Sequence, residues 1–132
     1  MGNNLEEAKR FFGNDRYATE QTGIEILAAE KGYAKCELKI GERHKNAQGH
    51  VMGGVLFTLA DYAFAIASNF EQPATVTQTS QIVFLASPKG STLYAETELI
   101  RSGKSTCFYK IMISDDAGVQ VAYVTATGFV VG

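Results

Sequence analysis

The segment NAQGHVMGGVLFTLADYAFAIASN, residues 46–69, constrains the fold most, because between Lys45 and Glu71 it carries a single charged side chain, Asp61. From Gly53 or Gly54 to Asn69, about sixteen residues run without a turn signal, too many for an ordinary strand. Val55, Leu56, Phe57, Leu59, Ala60, Ala63, Phe64, Ala65, Ile66 and Ala67 fall on nearly every side of a helix in this register. A helix apolar all round is buried all round, so the rest of the chain is expected to wrap it. The apolar run Val51–Ala67 is shorter than the ~20 residues a membrane span needs, and Asp61 interrupts it. The expectation is therefore a core helix of a cytoplasmic protein, with no membrane partner.

The flanking sequence supplies strands. In YAKCELKI, Ala34, Cys36, Leu38 and Ile40 alternate with Tyr33, Lys35, Glu37 and Lys39, the pattern of a strand with one wet face. GIEILAAE before it predicts a strand beginning near Gly23, with a turn at Lys31–Gly32. After the helix, strands are predicted near 75–86, 91–101, 105–114 and 119–131, separated by the turn sequences SPKG, RSGK and SDDAG. Residues 4–12 read as a short amphipathic helix with Leu5, Ala8, Phe11 and Phe12 on one face. The predicted order is helix, two strands, buried helix, four strands, which implies an α+β fold with about six strands curled around one long central helix.

A length of 132 residues suits one domain, 1–132, with an N-terminal helical segment at 1–20 and the central helix at 53–69. A net charge of -2 gives no electrostatic reason to expect nucleic acid or an anionic membrane. Cys36 and Cys107 lie in strand-like alternations with no CxxC spacing, so they are expected as buried thiols in a reducing compartment. Neither His44 nor His50 has a metal-ligand partner at useful spacing, so no metal is expected. The N-terminus lacks a signal-peptide pattern and the Ser or Thr of a myristoylation site. A curled sheet leaves an edge strand and one helix flank poorly covered; a homodimer, assembled further into a tetramer, is expected.

Asn46-x-x-Gly49-x-x-Gly53-Gly54, then Leu59-Ala60-Asp61, Ile82-Val83-Phe84-Leu85 and Pro88 resemble the phenylacetyl-CoA thioesterase-like branch of the hotdog thioesterases, over about Gly23 to Val131. The resemblance implies that the Gly53 N–H meets a thioester carbonyl. It also implies that Asp61 activates water or attacks directly, that Asn46 orients the reacting groups, and that a strand hydroxyl supports them. Thr77 matches that hydroxyl, with Gln78 and Thr79 beside it. Coenzyme A, as part of the substrate rather than a cofactor, would contact Lys89, Gly90, Arg101, Ser102, Gly103 and Lys104. His50, Met52, Gly54, Phe57 and Phe84 complete the candidate substrate-binding set. Met52 stands where the family commonly has histidine, and FLASP is one residue longer than the usual spacing before proline.

The residues support this chemistry independently. A helix start has amides without intrahelical partners at the positive end of its dipole, and glycine there lets a substrate approach the backbone. A double glycine would equally serve tight helix–sheet packing. Asp61 lies two turns inside the helix, where capping is impossible, and a carboxylate in apolar surroundings is costly without a partner or a function. At 1.5 Å per residue Gly53 and Asp61 are separated by roughly 12 Å along the helix, too far to serve one thioester. The site is therefore expected to join Gly53 of one subunit to Asp61 of another. Phe57, Tyr62 and Phe64 are candidates for an acyl pocket, which would favour aryl or medium-chain groups, though aromatic residues at helical spacing are more often core. Lys89, Arg101 and Lys104 could as well form a solvated turn face. Two rivals remain: a hotdog hydratase or dehydratase, for which His50 is the candidate base, and a non-catalytic acyl-CoA sensor.

Overall fold

The computed structural model describes residues 3–132, so the first two residues of the expected N-terminal segment lie outside it. Helix α1 spans Asn3–Phe12, and a π-helical turn, Tyr17–Thr22, which the sequence did not announce, follows it. Strands β1 (Glu25–Glu30) and β2 (Tyr33–Lys39) precede a short 3-10 turn, Glu42–His44. Helix α2 is Gly53–Asn69, and strands β3 (Thr75–Phe84), β4 (Thr92–Ser102), β5 (Thr106–Asp115) and β6 (Gln120–Val130) complete the fold. The expected strands are all present, their ends displaced by one or two residues.

The six strands form one antiparallel sheet in the order β1-β2-β4-β5-β6-β3. Its concave face closes on α2, the hotdog arrangement. Ala34, Cys36 and Leu38 of β2, Leu93 and Ala95 of β4, and Tyr109, Ile111 and Ile113 of β5 all point inward and are at most 1% exposed. Irregularities in pairing at Ile26/Ala28, Thr77/Thr79, Leu99/Arg101 and Ile113/Ser114 interrupt the ladders. Such bulges bend a strand and add twist, which lets the sheet curl.

Close packing fixes α2 from its C-terminal end. A Cβ on Gly128 would come 2.9 Å from Cys107 Sγ and 3.1 Å from Phe64 Cζ, so glycine is needed for β6 to touch the helix side chains. Phe64 meets Tyr109 edge to face at 5.4 Å. Truncating Phe64 to alanine would cost about 3–5 kcal/mol. The Ala67 carbonyl accepts hydrogen bonds from Gly32 N (3.1 Å), Gln72 Nε2 (2.7 Å) and Tyr109 Oη (3.2 Å). These bonds satisfy a helix-end carbonyl that has no intrahelical partner.

The expectation that α2 is wet on no side requires correction. Gly54 and Asp61 are exposed and Phe57, Thr58, Ala65 and Asn69 are half-exposed, forming one stripe along the helix. The stripe is open because the sheet ends at edge strand β3. On and beside that edge, Val76, Phe84 and Leu85 are also exposed, as is Met52 just before the helix. Apolar side chains on this stripe read in the sequence as core, because composition cannot distinguish a face covered by the same chain from one left open.

Candidate active site

The start of α2 is held by its own chain but left chemically unsatisfied. Met52 caps the helix without a side-chain hydrogen bond, and its N–H donates to the His44 carbonyl at 2.9 Å. His44 is buried, its Nε2 2.7 Å from the Thr22 carbonyl and its Nδ1 accepting Gly41 N–H at 2.9 Å. That pairing requires the neutral tautomer with the proton on Nε2. Val55 and Leu56 N–H return to the Met52 carbonyl. Gly53 and Gly54 N–H have no acceptor among the described residues. A Cβ on Gly53 would lie 2.8 Å from Phe84 Cζ, whereas one on Gly54 would meet nothing within 4 Å. A side chain at 53 would thus have only the exposed Phe84 ring to displace, and one at 54 would displace nothing.

Gly53 borders a cleft of about 570 Å³, whereas Gly54 is not part of its lining. Its walls are Ile40, Val51, Leu56, Phe84 and Leu85 on the apolar side, with Lys45, His50, Ser87 and Ser91 as polar groups. Pro88 and Gly90 also line it. The Lys89–Gly90 turn is built on Asp115, whose Oδ2 accepts Lys89 N–H (2.7 Å) and Gly90 N–H (2.8 Å) while Oδ1 accepts Ala117 and Val119 N–H. Those donors, Gly90 foremost, draw the Asp115 carboxyl down to about 2. Asp116 Oδ1 accepts Ser91 and Thr92 N–H and would lie 1.8 Å from a Cβ at position 90, which fixes Gly90 as glycine. The sequence marks these two aspartates only as turn residues of SDDAG. Lys45 on the cleft wall had no distinguishing signal in the sequence.

Asp61 does not line this cleft. It is exposed on the α2 stripe and its carboxylate has no hydrogen-bond partner among the described residues. Desolvation, and secondarily the charge of Asp15, raise its pKa above the ordinary aspartate value. Asp15 reaches that neighbourhood because Tyr62 Oη donates to the Phe12 carbonyl at 2.8 Å, tying the end of α1 beside the residue after Asp61. Local sequence carries no sign of a contact made by tertiary docking.

The other candidates divide. Thr77 is exposed on β3, next to the irregularity at Gln78. Thr79 Oγ1 is occupied by Thr127 Oγ1 at 2.6 Å, which leaves Thr77 as the uncommitted hydroxyl of the two. Phe57 lies on the open stripe and Met52 is 47% exposed, both outside the cleft lining. Tyr62 and Phe64 are 3% and 2% exposed and belong to the core, a correction to their candidacy as acyl-pocket residues. Asn46 is exposed, with its side-chain oxygen engaged by its own loop. Arg101, Ser102, Gly103 and Lys104 occupy the β4–β5 hairpin, at the opposite end of β4 from Gly90. Ten strand steps separate those ends by roughly 30 Å, so one chain does not bring the two expected coenzyme contacts together. Among the described residues no group of three or more His, Cys, Asp or Glu side chains could hold a metal ion.

The curled antiparallel sheet packed on one long helix is matched in known proteins. Residues 48–122 match the Thioesterase superfamily, and the chain belongs to that family. It is a hotdog thioesterase of the PaaI type and a thioester hydrolase. The acyl-coenzyme A thioesterase PaaI of Escherichia coli is 33% identical over 118 residues, covering 89% of this chain and 84% of that protein. A 1,4-dihydroxy-2-naphthoyl-CoA hydrolase of Listeria monocytogenes is 34% identical, covering 74% and 81% respectively. The structure of E. coli PaaI superposes with a TM-score of 0.89 at 27% identity, over 98% of this chain and 95% of that one. A Streptococcus pneumoniae thioesterase protein solved with coenzyme A gives 0.84 at 27% identity, over 94% and 97%.

Proposed function

We propose that this chain hydrolyses acyl-CoA thioesters, with aryl or medium-chain acyl groups, at sites shared between the two subunits of a homodimer. The observation carrying this reading is a division along α2: Gly53, whose amide has no acceptor among the described residues, lines the cleft, while the single carboxylate of the helix lies outside it. The thioester oxygen sits on the Gly53 N–H, where the helix dipole and an unused donor stabilise developing negative charge. Asp61 of the facing subunit takes a proton from water, whose oxygen attacks the carbonyl carbon. The C–S bond then breaks, and coenzyme A leaves as its thiol after accepting a proton. Attack by the Asp61 carboxylate itself would pass through an anhydride that water then opens. A raised pKa makes Asp61 a stronger base than an ordinary aspartate, at the cost of holding a proton to higher pH.

A two-fold axis passing near Phe57, midway between residues 53 and 61, sets each Gly53 opposite the partner's Asp61. It also covers the exposed stripe and pairs the two β3 edges. Such a dimer carries the Arg101–Lys104 hairpin of one subunit toward the neighbouring cleft, where its cations suit phosphate groups. Further pairing into a tetramer is part of the proposal. The two unpaired, buried cysteines fit a reducing, cytoplasmic setting. Incubation with a panel of aryl-, short- and long-chain acyl-CoAs and a thiol reagent tests the activity. Release of thiol from at least one substrate is expected; tight binding without release would identify a sensor instead.

A further inference from the structure

We propose that His44 is a positioning residue: its ring ties the N-terminal segment to the start of α2 and so fixes where the Gly53 amide points. The π-helical turn Tyr17–Thr22 ends on Gly23, which takes a left-handed φ of 90°. Gly23 and Ile24 N–H both return to the Ala18 carbonyl, which leaves the last carbonyls of the turn to find donors elsewhere. Residues 43 and 44 supply them. Arg43 Nη1 lies 3.3 Å from the Glu20 carbonyl and Nη2 3.4 Å from that of Thr22, while His44 Nε2 reaches the Thr22 carbonyl at 2.7 Å. Arg43 is exposed, whereas His44 and Thr22 are 3% and 6% exposed, so theirs is the bond shielded from water.

The remaining groups of His44 join it to its own turn and to the helix. Its Nδ1 accepts Gly41 N–H at 2.9 Å, its N–H donates to the Gly41 carbonyl at 3.0 Å, and its carbonyl accepts Met52 N–H at 2.9 Å. Met52 immediately precedes Gly53, so a shift of His44 passes to the helix start through one hydrogen bond and one peptide link. The N-terminal segment is anchored farther along the same helix, where Tyr62 Oη donates to the Phe12 carbonyl at 2.8 Å. One segment thus braces α2 beside Asp61 and, through the imidazole, at Gly53. The Gly53 amide has no acceptor among the described residues and is aimed only by what holds its neighbours; a displacement of about 1 Å there costs much of the rate. His44 lines no part of the cleft, so it acts through Gly53 rather than on substrate.

The proposal rests on the thioesterase reading, and the test separates the two. In the full chain, His44→Asn keeps an acceptor near the Nδ1 position but has nothing to reach Thr22; His44→Gln keeps a donor near the Nε2 position. His44→Asn should lose roughly tenfold or more in kcat with a smaller change in KM, and His44→Gln should stay within about threefold of wild type. In a Gly53→Pro background, where the amide is gone, adding His44→Asn should cost less than about twofold more. Wild-type rates in His44→Asn, equal losses in the two variants, or an undiminished loss in the Gly53→Pro background would each overturn the proposal. Hydrogen exchange at the Met52 amide should quicken in His44→Asn and not in His44→Gln; unchanged exchange in His44→Asn overturns it as well. The wild-type protein gives a check that needs no variant. Nitrogen NMR should show His44 as the neutral tautomer protonated on Nε2, and a proton on Nδ1 would overturn the bridge. Absence of thiol release by the wild-type protein would instead remove the thioesterase reading, while the tautomer and the Met52 exchange still decide the bridge.

Discussion

Proline at position 53 tests the contribution of one backbone amide. Gly53 is the first residue of α2, where proline is favoured because its missing N–H would have no intrahelical acceptor. The preceding Met52 has φ -69° and ψ 142°, an extended conformation that a following proline permits. Gly53 is not among the glycines with positive φ, and no acceptor in the described chain loses a bond. The one steric consequence is the Cβ, 2.8 Å from Phe84 Cζ, and Phe84 is 57% exposed and can move. Gly53→Ala imposes the same Cβ while keeping the N–H, so the ratio of the two variants reports the lost donor together with the proline Cδ that takes its place. Loss of one such donor corresponds to about 10²–10³ in kcat, or roughly 3–4 kcal/mol of transition-state stabilisation. Thiol release under saturating acyl-CoA measures kcat, and thermal unfolding confirms that both variants fold. Equal kcat for Gly53→Pro and Gly53→Ala would refute the assignment of this amide to the oxyanion.

Asp61→Asn should abolish most hydrolysis while raising the melting temperature. The folded carboxyl has a raised pKa, so its favourable contribution exists below the unfolded value of 3.8 and is lost as pH rises through the folded value; the gain from Asn should appear near neutral pH and vanish in acid. Asp15→Asn removes a repelling charge and should shift the acid limb of the kcat/KM profile to lower pH, with little change at the plateau. Asp115 behaves oppositely: its pKa is depressed to about 2, so its stabilisation is present above 3.8 and lost as pH falls toward 2. Asp115→Ala should lower the melting temperature at neutral pH and weaken coenzyme A binding by releasing the Lys89–Gly90 turn, an effect calorimetry would detect.

The parts legible in the sequence were those set by local periodicity. Alternation in β2 announced which side chains face inward, and the uninterrupted run after Gly53 announced α2 and its ends. The Gly53–Asp61 separation of roughly 12 Å along the helix is legible in the sequence, and in the structure Gly53 lines the cleft while Asp61 does not. What escaped depends on packing between distant segments. Tyr62 and Phe64 could not be assigned to core or pocket until the positions of Phe12 and Gly128 were known. Asp61 reads as buried because its neighbours are apolar, yet those neighbours face the sheet while Asp61 faces the open stripe. The support of the Lys89 turn by Asp115 joins residues 26 apart in sequence, and no local pattern records it.

Complementation between two inactive chains tests the shared site most directly. Gly53→Pro and Asp61→Asn chains, co-expressed with different affinity tags and purified through both, form a dimer in which one site combines an intact Gly53 with an intact Asp61. The other site carries both lesions. The account predicts about half the wild-type kcat per dimer, because one of two symmetric sites is restored. A doubly tagged dimer that hydrolyses acyl-CoA no faster than either parent would contradict it.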